Sequence, residues 1–104
     1  GAEAIEGISR IHADVCVLGL NGIHPEIGLG VLDYETVALK TAMLNHARQV
    51  IAVAASEKLG TVASFIFGQI TSLTHLVTDS GAAEETLKPY RDAGIIALTA
   101  EGKP

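Results

Sequence analysis

Polar and glycine residues with chemical potential cluster where the apolar runs of this sequence stop. Gly19-Leu20-Asn21-Gly22-Ile23-His24 follows one run, Ser56-Glu57-Lys58 a second and Asp79-Ser80-Gly81 a third. Such segments supply backbone N–H groups and polar heads suited to an anion. Lys58, a few residues past an apolar run, can meet a phosphate as a point charge. A solvated turn lysine is the ordinary alternative. The segment 19–30 carries the small residues that let backbone N–H groups approach a phosphate closely. Its glycines at 19, 22, 28 and 30 do not reproduce the G-x-G-x-x-G spacing, and no Gly-Lys-Ser/Thr marks a Walker A loop. Long glycine-bearing loops are also plain connectors.

Glu35 has two readings. In the first turn of a helix its carboxylate favours the positive end of the dipole. At about 100° per residue it also shares a side with Leu39 and Ala42, where it could accept ligand hydroxyls near a strand end. Lys40 then points roughly 140° away from Glu35 and reads as a solvated surface lysine. The histidines at 12, 24, 46 and 75 have no metal-ligand spacing. His24 lies in the candidate loop and could touch a ligand; the other three read as structural. Cys16 sits mid-run without an adjacent base, which makes it a small buried hydrophobe rather than a nucleophile. No Ser-His-Asp ordering or carboxylate pair calls for catalysis, and neither a metal nor a cofactor is expected.

The elements that must position these groups follow from periodicity. Ala4, Ile5, Ile8 and Ile11 predict an amphipathic helix over residues 2–12. Residues 14–19 are apolar on both sides, the habit of a parallel strand covered on both faces. Residues 20–32, with Gly22, Pro25, Gly28 and Gly30, read as a long loop. Asp33 is a candidate N-cap for a helix reaching Arg48. Residues 50–55 and 75–78 predict two further main strands, with a short strand at 64–67 between them. Residues 83–93 read as a helix closed by Gly94, although Pro89 removes a donor inside it and implies a kink or a restart. Residues 95–98 give a last strand. The order α-β-α-β-(β)-β-α-β predicts an α/β fold: an open, mainly parallel, Rossmann-like sheet with helices on both faces. In such sheets ligands bind beyond the carboxyl ends of the strands, which brings the three polar segments to one rim.

Composition narrows the partners. A chain of 104 residues is one domain or part of one, and 48% apolar residues can bury a core. The net charge is −5, and the seven basic residues are scattered singly, which argues against direct nucleic-acid binding. No run of 18 apolar residues and no basic-then-apolar leader occurs, so neither a membrane partner nor a signal peptide is expected. One cysteine fits a reducing cytoplasm. The chain opens Gly1-Ala2-Glu3 without an initiator Met, which predicts a piece of something longer.

Several segments in order resemble one known family. Ala13-Asp14-Val15-Cys16-Val17-Leu18-Gly19-Leu20-Asn21-Gly22-Ile23 resembles the "AD-apolar-apolar-apolar-G-x-x-G-I" stretch of DeoR-type repressor sensor domains. Gly28-Leu29, Asp33-Tyr34-Glu35, Lys40-Thr41-Ala42-Met43 and Ala47-Arg48 continue the likeness. Ser56-Glu57-Lys58-Leu59-Gly60 is similar to the family's "D-S-S-K-F-G", and Leu76-Val77-Thr78-Asp79 to its "L-I-T-D". The resemblance implies a fold related to ribose-5-phosphate isomerase and a sensor, downstream of a helix-turn-helix, for a phosphorylated sugar effector that modulates operator DNA binding. Carried over by position, the ligand site draws on Asn21, Gly22, Gly28, Gly30, Glu35 and Lys58.

Two departures accompany the likeness. Ala55 stands where the family usually has Asp, and the family's earlier Thr-Gly-Gly phosphate segment and helix-turn-helix are absent. Residues 1–104 therefore read as the later part of an effector-sensing domain, incomplete on its N-terminal side, with operator DNA reached only through the missing domain. An exposed strand edge would favour a homo-oligomer. The alternative is a sugar-phosphate isomerase on the same fold. Such enzymes carry an acidic pair after the first strand and a Lys-Gly-rich run before the helix, where Asn21-Gly22 and Gly28-Leu29-Gly30 stand here. A third possibility is a purely structural dimerisation piece.

Overall fold

Four apolar runs become strands of one parallel sheet. A computed structural model of the chain describes residues 2–9 and 13–100. The strands are β1 (Ala13–Gly19), β4 (Ala47–Val53), β6 (His75–Asp79) and β7 (Ile96–Ala100), in the spatial order β1-β4-β6-β7. All three pairings are parallel, and one row of the register reads Val17, Ile51, His75, Ile96. The expected α/β class and open parallel sheet are present. The predicted first helix appears as α1 (Ala2–Ser9), beside α2 (Val37–Asn45). Its expected continuation to residue 12, and His12 with it, lie outside the described residues.

The expected loop at 20–32 is instead a hairpin. β2 (Gly22–His24) and β3 (Gly28–Val31) pair antiparallel, and β3 also pairs with β5 (Phe65–Gly68) in a small second sheet. Its glycines are there because backbones meet. A Cβ on Gly22 would stand 2.7 Å from the Ala63 nitrogen, and one on Gly30 would stand 2.9 Å from the Ala63 Cβ. Gly28 has φ +121° and its missing side chain would strike the Gly68 carbonyl. His24 closes the turn: its Nδ1 accepts from the Glu26 and Ile27 amides at 3.1 and 3.2 Å. That ring nitrogen serves the turn rather than a ligand.

The second helix also differs from expectation. Asp33 caps a 3₁₀ turn, Tyr34–Thr36, by accepting from the Glu35 amide at 2.9 Å. α2 begins only at Val37 and ends at Asn45, so β4 starts three residues earlier than predicted. The last helix, α3 (Glu84–Asp92), runs through Pro89 without a restart, and Gly94 follows with φ +91°.

The connections explain where the core lies. The strands of the main sheet follow one another in a single direction, so right-handed crossovers carry every connecting element to the same face. On that face Cys16, Leu18, Val50, Ala52, Leu76 and Ala97 are buried against Ile23, Leu29, Leu44, Phe67, Leu87 and Tyr90. The other face keeps its apolar side chains open: Val17 is 58% exposed, Ile96 54% and Leu98 51%. Among the described residues no helix is long and apolar enough to cross a membrane.

Candidate functional site

A cavity of about 410 Å³ opens at the carboxyl ends of β1 and β4. Three chain segments line it. Gly19, Leu20 and Asn21 leave β1; Val31, Asp33, Thr36 and Lys40 run from β3 into α2; Val53, Ala54, Ala55 and Lys58 leave β4. This is the rim where open parallel sheets hold ligands.

Asn21 is fixed at the mouth. Its amide N–H donates to the Gly30 carbonyl at 3.0 Å, and its Oδ1 accepts from the Leu32 amide at 3.1 Å. Among the described residues its Nδ2 has no partner. Lys58 closes the 3₁₀ turn Ser56–Lys58, where its own amide donates to the Ala55 carbonyl at 2.8 Å. The residue is half-buried, and its ammonium is unpaired among the described residues.

The third strand end acts at one remove. Asp79 does not line the cavity; its Oδ2 accepts from the Ser56 amide at 2.8 Å and its Oδ1 from the Gly81 amide at 2.9 Å. These bonds, those from Ser56 foremost, hold the Asp79 carboxyl below its ordinary value. A carboxylate accepting two amide protons stiffens the turn that presents Lys58.

Tyr90 ties the two arms together from beneath. Its hydroxyl donates to the Ile23 carbonyl and accepts from the Gly60 amide at 3.0 Å, while the Gly60 amide also reaches Ile23 O at 2.9 Å. Burial pushes the Tyr90 phenol up, and the Gly60 amide works the other way. Ile23 lies two residues past Asn21, and Gly60 two past Lys58.

The six residues expected from sequence divide clearly. Asn21 and Lys58 line the cavity. Gly22, Gly28 and Gly30 are buried in the hairpin, where their small size serves close packing against residues 63–68. Glu35 is exposed and outside the lining. Its expected orientation assumed α-helical phase from Asp33 onward, whereas 3₁₀ backbone turns about 120° per residue.

Lys40, read as a surface lysine, lines the cavity and donates through Nζ to the Gly19 carbonyl at 3.2 Å. Asp33, Thr36 and Lys40 share the lining, but the 3₁₀ turn between Asp33 and α2 breaks the α-helical phase by which the sequence could have grouped them. Cys16 is buried, and burial raises its thiol while the Lys40 charge opposes that shift. Among the described residues no group of three or more His, Cys, Asp or Glu could hold a metal.

The sequence also matches known proteins. The sequence model of the DeoR C-terminal sensor domain matches residues 1–80. The chain is 33% identical over 79 residues to the HTH-type transcriptional repressor GlcR of Bacillus subtilis (strain 168), covering 76% of this chain and 30% of that protein. It is 30% identical over 80 residues to the glycerol-3-phosphate regulon repressor of Escherichia coli (strain K12), covering 77% and 32%. It is 26% identical over 98 residues to the HTH-type transcriptional regulator FruR of Bacillus subtilis (strain 168), covering 94% and 38%. The chain spans about a third of the length of the curated relatives it matches.

Proposed function

Since the chain belongs to the DeoR C-terminal sensor domain family, we propose that it is the ligand-sensing part of a transcriptional repressor and binds a phosphorylated sugar metabolite. The observation that carries this reading is the meeting of the Asn21 amide and the unpaired Lys58 ammonium on one cavity at the carboxyl ends of β1 and β4. An ammonium on such a lining meets phosphate oxygens with charge-assisted hydrogen bonds. An amide and a carboxylate beside it suit sugar hydroxyls. Asn21 and Lys58 carry the ligand; Gly22, Gly28 and Gly30 shape the hairpin that holds Asn21, and the Glu35 backbone amide holds Asp33, which lines the cavity. One relative is named for the glycerol-3-phosphate regulon, and we carry over only the class, a phosphate ester of a small polyol or sugar.

The rest of the proposal concerns the longer protein. We read residues 1–104 as the later part of the sensor, with a helix-turn-helix upstream that contacts operator DNA, as the names of two relatives suggest. The ligand then shifts operator binding only if it binds two states of the repressor unequally. Such a protein works in the cytoplasm. The outer edge of β1, which has no strand partner among the described residues, supports a homo-oligomer. We assign no catalysis to the cavity; turnover of a sugar phosphate in an isomerase assay would overturn that.

A thermal-shift panel on the full-length protein tests the reading. One phosphorylated sugar or polyol should stabilise it by about 2.7 kcal/mol at a hundred times its Kd, while its unphosphorylated counterpart should not. Lys58→Ala should lose most of that shift. Equal shifts from phosphorylated and free sugars would refute the phosphate assignment.

A further inference from the structure

We propose that Lys40 is a second ligand-binding cation, and that the Lys40–Lys58 pair makes the cavity select a doubly charged phosphate monoester over singly charged anions. This rests on the reading of the cavity as an anion site. Lys40 reaches the cavity from the first turn of α2, and Lys58 from the turn that follows β4. Its ammonium has three donors, and one of them is held by the Gly19 carbonyl at 3.2 Å. The tether aims the head at the end of β1 and leaves two donors for a ligand.

The charge balance of the lining is the second ground. Two lysines face one carboxylate, Asp33, whose Oδ1 already takes the Glu35 amide. Among the described residues neither lysine forms an ion pair; the salt bridges there, Lys88 with Asp92 and Arg91 with Glu84, lie on α3. A chain of net charge −5 thus gathers two ammonium groups without an ion-pair partner on the lining of one open cavity. Like charges on one lining repel until a counter-charge arrives. A singly charged ligand satisfies one lysine; a phosphate monoester above its second pKa of about 6 satisfies both.

Titration calorimetry of the full-length protein at pH 8 tests the pair. The probes are glycerol 3-phosphate, fructose 1-phosphate and glucose 6-phosphate, each with its sulfate ester. Lys40→Gln keeps a donor for the Gly19 carbonyl but removes the charge; Lys40→Arg keeps both. The expected result is a phosphate ester that binds wild type at least tenfold tighter than its sulfate ester, with both the affinity and that preference lost in Lys40→Gln and restored in Lys40→Arg. Phosphate-ester binding by Lys40→Gln at wild-type strength would overturn the proposal while leaving the function above intact. So would equal loss for phosphate and sulfate esters, since a mere tether predicts it. Failure of wild type to bind any phosphate ester would overturn both.

Discussion

Tyr90 is 1% exposed and still carries a hydroxyl into the core. Burial of that oxygen is tolerated because both of its hydrogen-bonding functions are used, one on Ile23 and one on Gly60. Those two residues belong to the arms that present Asn21 and Lys58, so a side chain on α3 positions a cavity it does not line. Tyr90→Phe keeps the ring and removes only the tie. We expect a loss of about 1–2 kcal/mol in denaturant unfolding, because the Gly60 amide retains its own bond to Ile23 O. Ligand affinity should fall as well, through loosened arms. An unchanged unfolding midpoint would show that the Ile23–Gly60 bond suffices alone. Nothing in the sequence marked this residue, because the partners lie 67 and 30 positions away.

Elements were legible where burial on the sheet wrote an apolar run, as in β1, β4, β6 and β7. They were illegible where glycine had two meanings. In residues 20–32 glycine punctuation reads as loop, but here the glycines let two strands and residues 61–68 approach within contact distance. Gly28 is the sharpest instance. Its φ of +121° is strained for any L side chain, and the space is filled by the Gly68 carbonyl. Gly28→Ala should therefore cost roughly 2–5 kcal/mol and distort the pairing of β3 with β5, seen as lost amide protection in hydrogen exchange. A phosphate-cradle role alone would instead weaken ligand binding and leave stability intact. The cavity was half legible for a similar reason: Lys58 and Asn21 follow strand ends directly. Lys40 depends on the phase of a 3₁₀ turn, which the pattern of apolar residues does not reveal.

At the scale of the whole molecule, the one-directional strand order leaves a sheet with two unlike faces. Val17, Ile51, His75 and Ile96 form one row across the bare side, and Val53, Val77 and Leu98 continue the next. Parallel sheets are covered on both faces in stable proteins, and contiguous exposed apolar area marks a contact surface. If the remainder of a longer sensor domain supplies that cover, the face has opposite energetics in the two contexts. Val17 and Leu98 are each about half exposed in this chain, so Val17→Ser with Leu98→Ser should change its unfolding free energy by no more than about 1 kcal/mol. The same pair should reduce self-association of the isolated chain in sedimentation experiments. In the full-length protein, where both side chains would be buried, the double substitution should cost at least about 3 kcal/mol. Equal effects in the short and long chains would mean that the face meets solvent in both, and the sheet would then be covered by a separate partner or not at all.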